Sequence, residues 1–384
     1  MTSSWPKCIG VCGDDERALP LLRELTARGV ALLVVRQTPD WDAQFRGWPR
    51  VAFRTGWDAL LAEPECAEVL VGGSDETTLQ AVRHLAQGGK TVWLLPHPAQ
   101  GLMFAYELSL QLAEGQGLVV PVFPLRADPA CQRLLAAARA GLIHDLRYLE
   151  CERYWPSARL TAADAARQLF GDLDLLERLA GPYSRVTTLR TGDAEGLLQQ
   201  TVTLASTQGS EAVWTIKPAQ TACVFRLTLH TAHGVWQLEQ HGDLPAAWRM
   251  PPPAHLLAGP SQTQLEVLLP REAAAEAWRD AVTVFELADA VEHSWERRRT
   301  IDLHHEPLSE RTIFKTQMAA IGCGVLLLTL LLLLGYLALA STVPLSGGML
   351  HVLRAVVFAP VVLFLLAQLL LPLTRPAKTA GRDG

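Results

Sequence analysis

Hydrophobic positions follow three successive rhythms along this chain. Over roughly the first 145 residues, short continuous apolar runs alternate with segments of helical period. CIGVCG (Cys8–Gly13) is read as a buried strand. ERALPLLRELTARG (Glu16–Gly29) then places Leu21, Leu22 and Leu25 on one helix face, with Gly29 closing it. VALLVV is the next strand. Thr55 and Trp57 open a short helix that ends before Pro64, and AEVLVGG is again a strand. Ser74 or Asp75 caps a helix that runs to Gln87 and stops at Gly88-Gly89. TVWLL, a helix from Ala99 to Glu114, GLVVPVF, and a helix opened by Asp128-Pro129 and closed by Gly141 complete the pattern. Continuous apolar strands interleaved with helices predict a parallel sheet covered on both faces, in the order of a doubly wound nucleotide-binding fold.

The second rhythm begins after Asp145. LRYLECERYW reads as a long strand, and Thr161 to Ala180 as one amphipathic helix bearing Leu169, Leu173, Leu176 and Ala180 on one side. Strand-like runs follow: SRVTTL, LLQQTVTLAS, EAVWTIK, ACVFRLTLH, VWQLEQ and TQLEVLL, with a tight turn expected at His233-Gly234. A helix from about Ala273 to Arg297 carries Trp278, Phe285 and Trp295. This part predicts an α+β fold, an open antiparallel sheet with helices on one face.

The third rhythm is apolar throughout. Met318 to Ala340 carries no charge, and Ala355 to Leu373 is a second such stretch. Spanning a bilayer core takes roughly 20 apolar residues in a helix, so the two runs predict a transmembrane hairpin. Arg311 and Lys315 precede it and Arg375, Lys378 and Arg382 follow it, whereas Ser341 to His351 holds no Lys or Arg. The positive-inside rule then places both flanks in the cytoplasm of a cell whose inner membrane the hairpin crosses. The first 30 residues show no basic start followed by an apolar core, so no signal peptide is expected. The predicted organisation is a nucleotide-binding-type domain (1–124), an α+β domain (125–300), a juxtamembrane linker (301–316), the hairpin (317–374) and a basic cytoplasmic tail (375–384). The hairpin lacks acidic or histidine side chains well inside it and is read as an anchor.

Composition narrows the function classes. A net charge of −5 gives no basic face for nucleic acid. The seven cysteines form no CxxC pair, and Cys8 and Cys12 lack the partners of a zinc set, so free thiols in a reducing compartment and no metal site are expected. His304-His305-Glu306 is read as a solvated linker rather than a metal site.

Several phrases carry a family resemblance: LAQGGKTVWLLPHP, PLRADPACQRLLAAARAGLIHDLRYLE, DLLERLAGPYSRV and FELADAVEHSWERRRTIDL. Together with the element order over about residues 7–300, they resemble the Gfo/Idh/MocA family, named after glucose–fructose oxidoreductase and inositol dehydrogenase. The resemblance implies a Rossmann domain holding NAD or NADP and a second domain holding a sugar- or polyol-like substrate. Gly13, Asp15 and Ala18 fall where the family keeps its pyrophosphate-binding glycines, and Arg36 where it keeps the ribose-binding acid. An aspartate ~5 Å from a pyrophosphate costs about 3 kcal/mol at an effective dielectric of ~20, roughly a hundredfold in affinity. Weak or absent dinucleotide binding is therefore expected; Arg36 suits a 2′-phosphate but reads more plainly as a loop arginine, and Asp14-Asp15-Glu16 as the acidic first turn of a helix. Leu95-Pro96-His97 replaces the family's Glu-Lys-Pro, and Arg167 and Gly171 replace its helix Asp and His. His97 is the one catalytic candidate, a base one position out of register, and its plainer reading is a turn histidine before Pro98. Arg126 matches a family position near the domain junction and reads equally as a structural ion pair. The expectation is a membrane-anchored oxidoreductase-like protein that binds a ligand, a protein partner or a second copy without turnover. The alternative is an active NAD(P)-dependent oxidoreductase.

Overall fold

The computed structural model describes residues 6–35, 37–115, 117–143, 146–157, 159–193, 196–206, 209–221, 223–242, 244–253, 274–303, 329 and 331–334. The chain divides into two compact units, Met1–His304 and His305–Gly384.

The first sheet contains β1 (Cys8–Cys12), β2 (Ala31–Val35), β3 (Val51–Arg54), β4 (Glu68–Gly72), β5 (Thr91–Leu95) and β6 (Leu118–Pro121). All pairings are parallel, in the order β3-β2-β1-β4-β5-β6. The order reverses between β1 and β4, and ligands of such sheets bind in the crevice beyond the strand ends at that switch point. Helices α1 (Leu19–Ala27), α2 (Pro39–Gln44), α3 (Asp58–Ala62), α4 (Glu76–Gln87) and α5 (Gly101–Ala113) cover the sheet. Both α2 and β3 escape the hydrophobic pattern. The short α2 buries one side chain, Trp41, and β3 is an edge strand with no fully buried residue. Asp75 caps α4, accepting from the Thr78 amide at 3.0 Å, as its position before the apolar period predicts.

After α6 (Pro129–Arg139), β7 (Leu146–Trp155) opens the second sheet and α7 (Ala162–Ala180) crosses it. The strands β8 (Tyr183–Asp193), β9 (Gly196–Ser206), β10 (Glu211–Pro218), β11 (Cys223–Thr231), β12 (Gly234–His241) and β13 (Ala247–Met250) follow. Helix α8 (Ala274–Arg297) and β14 (Ile301–Asp302) close the unit. The order is β13-β12-β11-β7-β10-β9-β8-β14. The expected antiparallel sheet is in fact mixed, because β7 and β10 pair in parallel. A crossover through α7 leaves β8 running with β7, and two hairpins return β10 in the same direction. The β11–β12 turn is Ala232-His233, one residue earlier than expected, since Thr231 pairs with Gly234.

Alternate residues of this sheet, among them Trp214, Phe225, Leu227 and Leu238, are buried on one face, which α7 and α8 cover over β7 to β10. Helix α8 also contacts α5 and β6, so one core cluster spans both sheets, while Ile9, Leu22, Val34, Trp41 and Trp93 form a second within the first sheet. Phe285 of α8 meets Phe170 of α7 edge-on at 4.8 Å, and Trp278 donates from Nε1 to the Ser109 hydroxyl at 2.9 Å. Stripping a buried ring like Phe285 costs about 3–5 kcal/mol.

Among the described residues no helix is long and apolar enough to cross a membrane. Most of Met318–Ala340, all of Ala355–Leu373, the strand-like run TQLEVLL, Arg36 and His304-His305-Glu306 lie outside the described residues. Within the first apolar run, Thr329 and residues 331–334 are helical, and Leu331 and Leu334 are exposed.

Candidate functional site

The crevice at the switch point is built from the turn after β1, the end of β4 and the loop after β5. Gly13 makes the turn at φ +90°, and a Cβ there would lie 1.6 Å from the Gly72 carbonyl oxygen. Only glycine allows β1 and β4 to approach so closely. Ala18 is buried beneath the turn, as the third position of the motif requires.

Asp15 departs from that motif in a specific way. Its carboxylate caps a single 3-10 turn, Glu16–Ala18, by accepting from the Arg17 amide at 3.0 Å. It also accepts from the Arg17 side chain, from Nη2 at 2.6 Å and from Nε at 3.0 and 3.1 Å. The same Nη2 donates to the Pro96 carbonyl at 2.9 Å. Burial opposes the Asp15 charge, but the Arg17 hydrogen bonds and charge outweigh it and hold the carboxyl below its ordinary range. A Cβ on Gly72 would lie 2.7 Å from the Asp15 Cβ, so Asp15 rests on the end of β4. Asp14 and Glu16 are exposed. The repulsive carboxylate expected from the sequence is thus neutralised by a neighbour two residues away. The resulting pair ties the β1 turn to the loop after β5, across the crevice.

The loop after β5 is held by a capping box that the sequence reading missed. The His97 Nδ1 accepts from the Ala99 amide at 3.1 Å, and the buried Gln100 side chain accepts from the His97 amide at 3.1 Å. Gln100 Nε2 donates to the carbonyls of Gly73 at 2.8 Å and Leu95 at 3.2 Å, lacing this loop to the end of β4. The spacing of His97 and Gln100 around Pro98 was the available signal, a capping box with imidazole in place of a hydroxyl. Burial first, then the charges of Arg17 and Arg167, push the imidazole down to about 4, with Asp15 opposing them. His97 is neutral at pH 7 with its unprotonated nitrogen engaged by an amide. Nε2 therefore carries the hydrogen, and the ring presents a donor rather than a base. Cys12, beneath the turn, has its thiol pushed up to about 12 by burial and by Asp75.

Arg167 is exposed on α7, and at Gly171 an added Cβ would meet nothing within 4 Å. Neither supplies a proton-transfer group. A cleft of about 120 Å³ lies between the loop after β5, α5, α7 and α8, with Leu102, Leu169, Phe285, Val291, Asp289 and Glu292 among its lining. Glu292 is engaged by Arg190. Arg126 is structural. It makes a buried bidentate pair with Asp174 (2.7 and 2.5 Å), which also receives Arg178 at 3.2 Å, and Arg178 reaches Asp280 on α8. On the other side of α7, Asp172 takes Arg153 and the Trp214 indole.

A parallel sheet in this order, a mixed sheet beyond it and a crevice at the switch point define a protein with the fold of two-domain, dinucleotide-dependent dehydrogenases. The likeness to particular solved structures agrees. The WlbA dehydrogenase from Bordetella pertussis, solved with NADH and UDP-GlcNAcA, superposes with a TM-score of 0.62 at 14% identity over 80% of this chain and 100% of its own. The myo-inositol dehydrogenase from Lactobacillus casei, solved with NAD(H) and myo-inositol, gives 0.62 at 16% identity over 80% and 99%. The corresponding enzyme from Corynebacterium glutamicum gives 0.60 at 16% identity over 78% and 99%. Neither a protein-family model nor the sequence of a curated protein matches this chain.

The residues at the crevice do not fit a dinucleotide pyrophosphate as they stand. A helix N-terminus binds an anion through free amides. Here the first helical turn is a single 3-10 turn whose Arg17 amide is already taken by Asp15, and the Asp15 side chain covers the end of β4. Gly13 and Ala18 keep the backbone shape of the motif, but the Arg17 amide is taken by the Asp15 carboxylate and the Ala18 amide by the Asp15 carbonyl.

Proposed function

We propose that this chain is a non-catalytic, ligand- or partner-binding protein built on an oxidoreductase fold and held at a membrane by its carboxyl-terminal segment. The Asp15–Arg17–Pro96 bridge across the cofactor crevice is the observation that carries this reading. Losing a positioned proton-transfer group costs roughly 10²–10⁴ in rate. Pro96, Arg167 and Gly171 stand where the resembling family keeps all three such groups. His97 does not substitute, because its lone pair is engaged.

The ligand site of this reading is the cleft between α5, α7 and α8. Apolar walls with Asp289 as an acceptor suit a small sugar- or polyol-like ligand. The second reading, an active NAD(P)-dependent oxidoreductase, draws on the preserved Gly13 and Ala18 and on the cofactors held by proteins of the same fold. Anchorage draws on the two apolar runs, their basic flanks and the exposed leucines at 331 and 334. In this reading the large unit faces the cytoplasm.

Calorimetric titration with NAD(H) and NADP(H), paired with a dehydrogenase assay over a panel of polyols, separates the two readings. No binding tighter than millimolar and no turnover are expected. Asp15→Gly, which removes the side chain over the end of β4 and frees the Arg17 amide, is expected to strengthen dinucleotide binding about tenfold or more. Sub-micromolar binding to the natural chain, or turnover that disappears in His97→Ala, would sink the proposal and make His97 a catalytic group.

A further inference from the structure

Far from the crevice, three side chains with metal-binding chemistry meet on the face of the second sheet opposite α7 and α8. Glu239 and His241 are two residues apart on β12 and so share a face, while Trp236 and Leu238 fill the other. Cys223 lies across from His241 on β11. Simple alternation from Phe225 and Leu227 would send the Cys223 side chain into the core. A β-bulge between Cys223 and Phe225 inserts one residue and turns it back to the side of Glu239 and His241. Bulges commonly re-aim a side chain in this way.

The Sγ of Cys223, a carboxylate oxygen of Glu239 and an imidazole nitrogen of His241 all lie within 4.8 Å of one another. Glu239 is already oriented. Its Oε1 accepts from Arg226 Nε at 2.8 Å and Arg249 Nη1 at 3.2 Å, leaving Oε2 facing His241 Nε2 at 3.4 Å. Hydrogen bonds to a ligating carboxylate of this kind fix its direction. Metal–ligand bonds of about 2.0–2.3 Å around tetrahedral zinc require donors somewhat closer than 4.8 Å, a change that side-chain rotation supplies.

We propose that Cys223, Glu239 and His241 bind zinc or another first-row divalent transition-metal ion, with the fourth position left to water. One sulfur, one nitrogen and one oxygen donor form a borderline-soft set that favours zinc over magnesium or calcium. Binding takes the thiolate, so one proton leaves Cys223 for solvent as the metal–sulfur bond forms. No oxidation or reduction is involved. Cys223 and Glu239 are nearly inaccessible, whereas the His241 side chain is 48% exposed, so the ion enters and the water exchanges from the His241 side.

Cobalt(II) titration of the full, chelator-stripped chain tests this, because a thiolate–cobalt bond gives a near-ultraviolet charge-transfer band that histidine and carboxylate sites elsewhere do not produce. One equivalent should produce the band, and zinc should displace it. Cys223→Ser should abolish it, His241→Ala should weaken cobalt binding by about tenfold or more, and Cys8→Ser should leave it intact. His241 is exposed and its substitution leaves the core untouched, so the test does not depend on the cysteine variant folding. A band that survives in Cys223→Ser, or none at stoichiometric cobalt, would overturn the proposal.

Discussion

At the scale of single residues, neighbours decide what each titratable group can do. His97 has the chemistry of a general base, yet an amide holds its lone pair and burial with two guanidiniums keeps it neutral. This has a consequence for stability. Between about pH 6.5 and about 4 the unfolded chain binds a proton that folded His97 refuses. The unfolded state thus carries more protons there, and stability falls as pH falls through that window. Above it the His97 contribution is constant. His97→Asn keeps a cap acceptor but does not titrate. The variant is expected to lose less of its urea unfolding midpoint than the natural chain between pH 7 and 5. An equal loss would mean that the folded and unfolded chains release the His97 proton at the same pH, so that its surroundings do not shift it. Asp15 shows the same lesson in reverse. Its type and position were legible in the sequence and implied repulsion. Its actual partner, Arg17, stands only two residues away, but the turn that brings them together is not visible in a string of charges.

Among elements, α7 is the piece on which the architecture turns. It presents Asp172 to the second sheet and Asp174 to the 3-10 turn around Arg126, and both carboxylates are nearly inaccessible. Burial disfavours the charge of Asp174, but Arg126 and Arg178 outweigh it and hold its carboxyl below the ordinary range. Removing one partner of a buried pair leaves the other charged and unsolvated, which costs about 3–5 kcal/mol. Asp174→Ala is expected to lose that much. Asp280→Ala, which removes only the 40% exposed carboxylate facing Arg178 and leaves Arg178 its Asp174 partner, should lose no more than about 1 kcal/mol. Chemical unfolding followed by the fluorescence of the buried Trp93, Trp214 and Trp278 measures both. Equal effects would show that the Arg126 pair adds nothing beyond a surface contact. The helix itself was legible: Thr161 caps it and Asp164 completes the box, just ahead of the apolar period. The parallel pairing of β7 with β10 was not, because an alternating strand reads alike in either direction.

The whole molecule combines a dehydrogenase fold with a tail of different character. If the tail is an anchor, the full chain will sediment with membranes and resist extraction by carbonate. A chain ending at His304, the limit of the first compact unit, should remain in the supernatant. Protease access from the cytoplasmic face should reach both the large unit and the segment after Arg375. Finding that segment protected would refute the hairpin, and a soluble full chain would refute the anchor.

The sequence by itself determined most of the element order, because buried strands and amphipathic helices differ in hydrophobic period; α2 and the edge strands β3, β13 and β14, which bury little, escaped it. It also marked the positions where the dehydrogenase motifs depart from expectation, since residue type can be read without geometry. It established two apolar runs of membrane-spanning length by composition alone. Only the tertiary structure decided that the second sheet is mixed and that a bulge turns Cys223 toward Glu239 and His241. Only it closed the crevice with Asp15 and Arg17 and engaged the His97 lone pair. Each of these depends on which groups come within hydrogen-bonding distance in three dimensions, and the order of residues along the chain does not encode that distance locally.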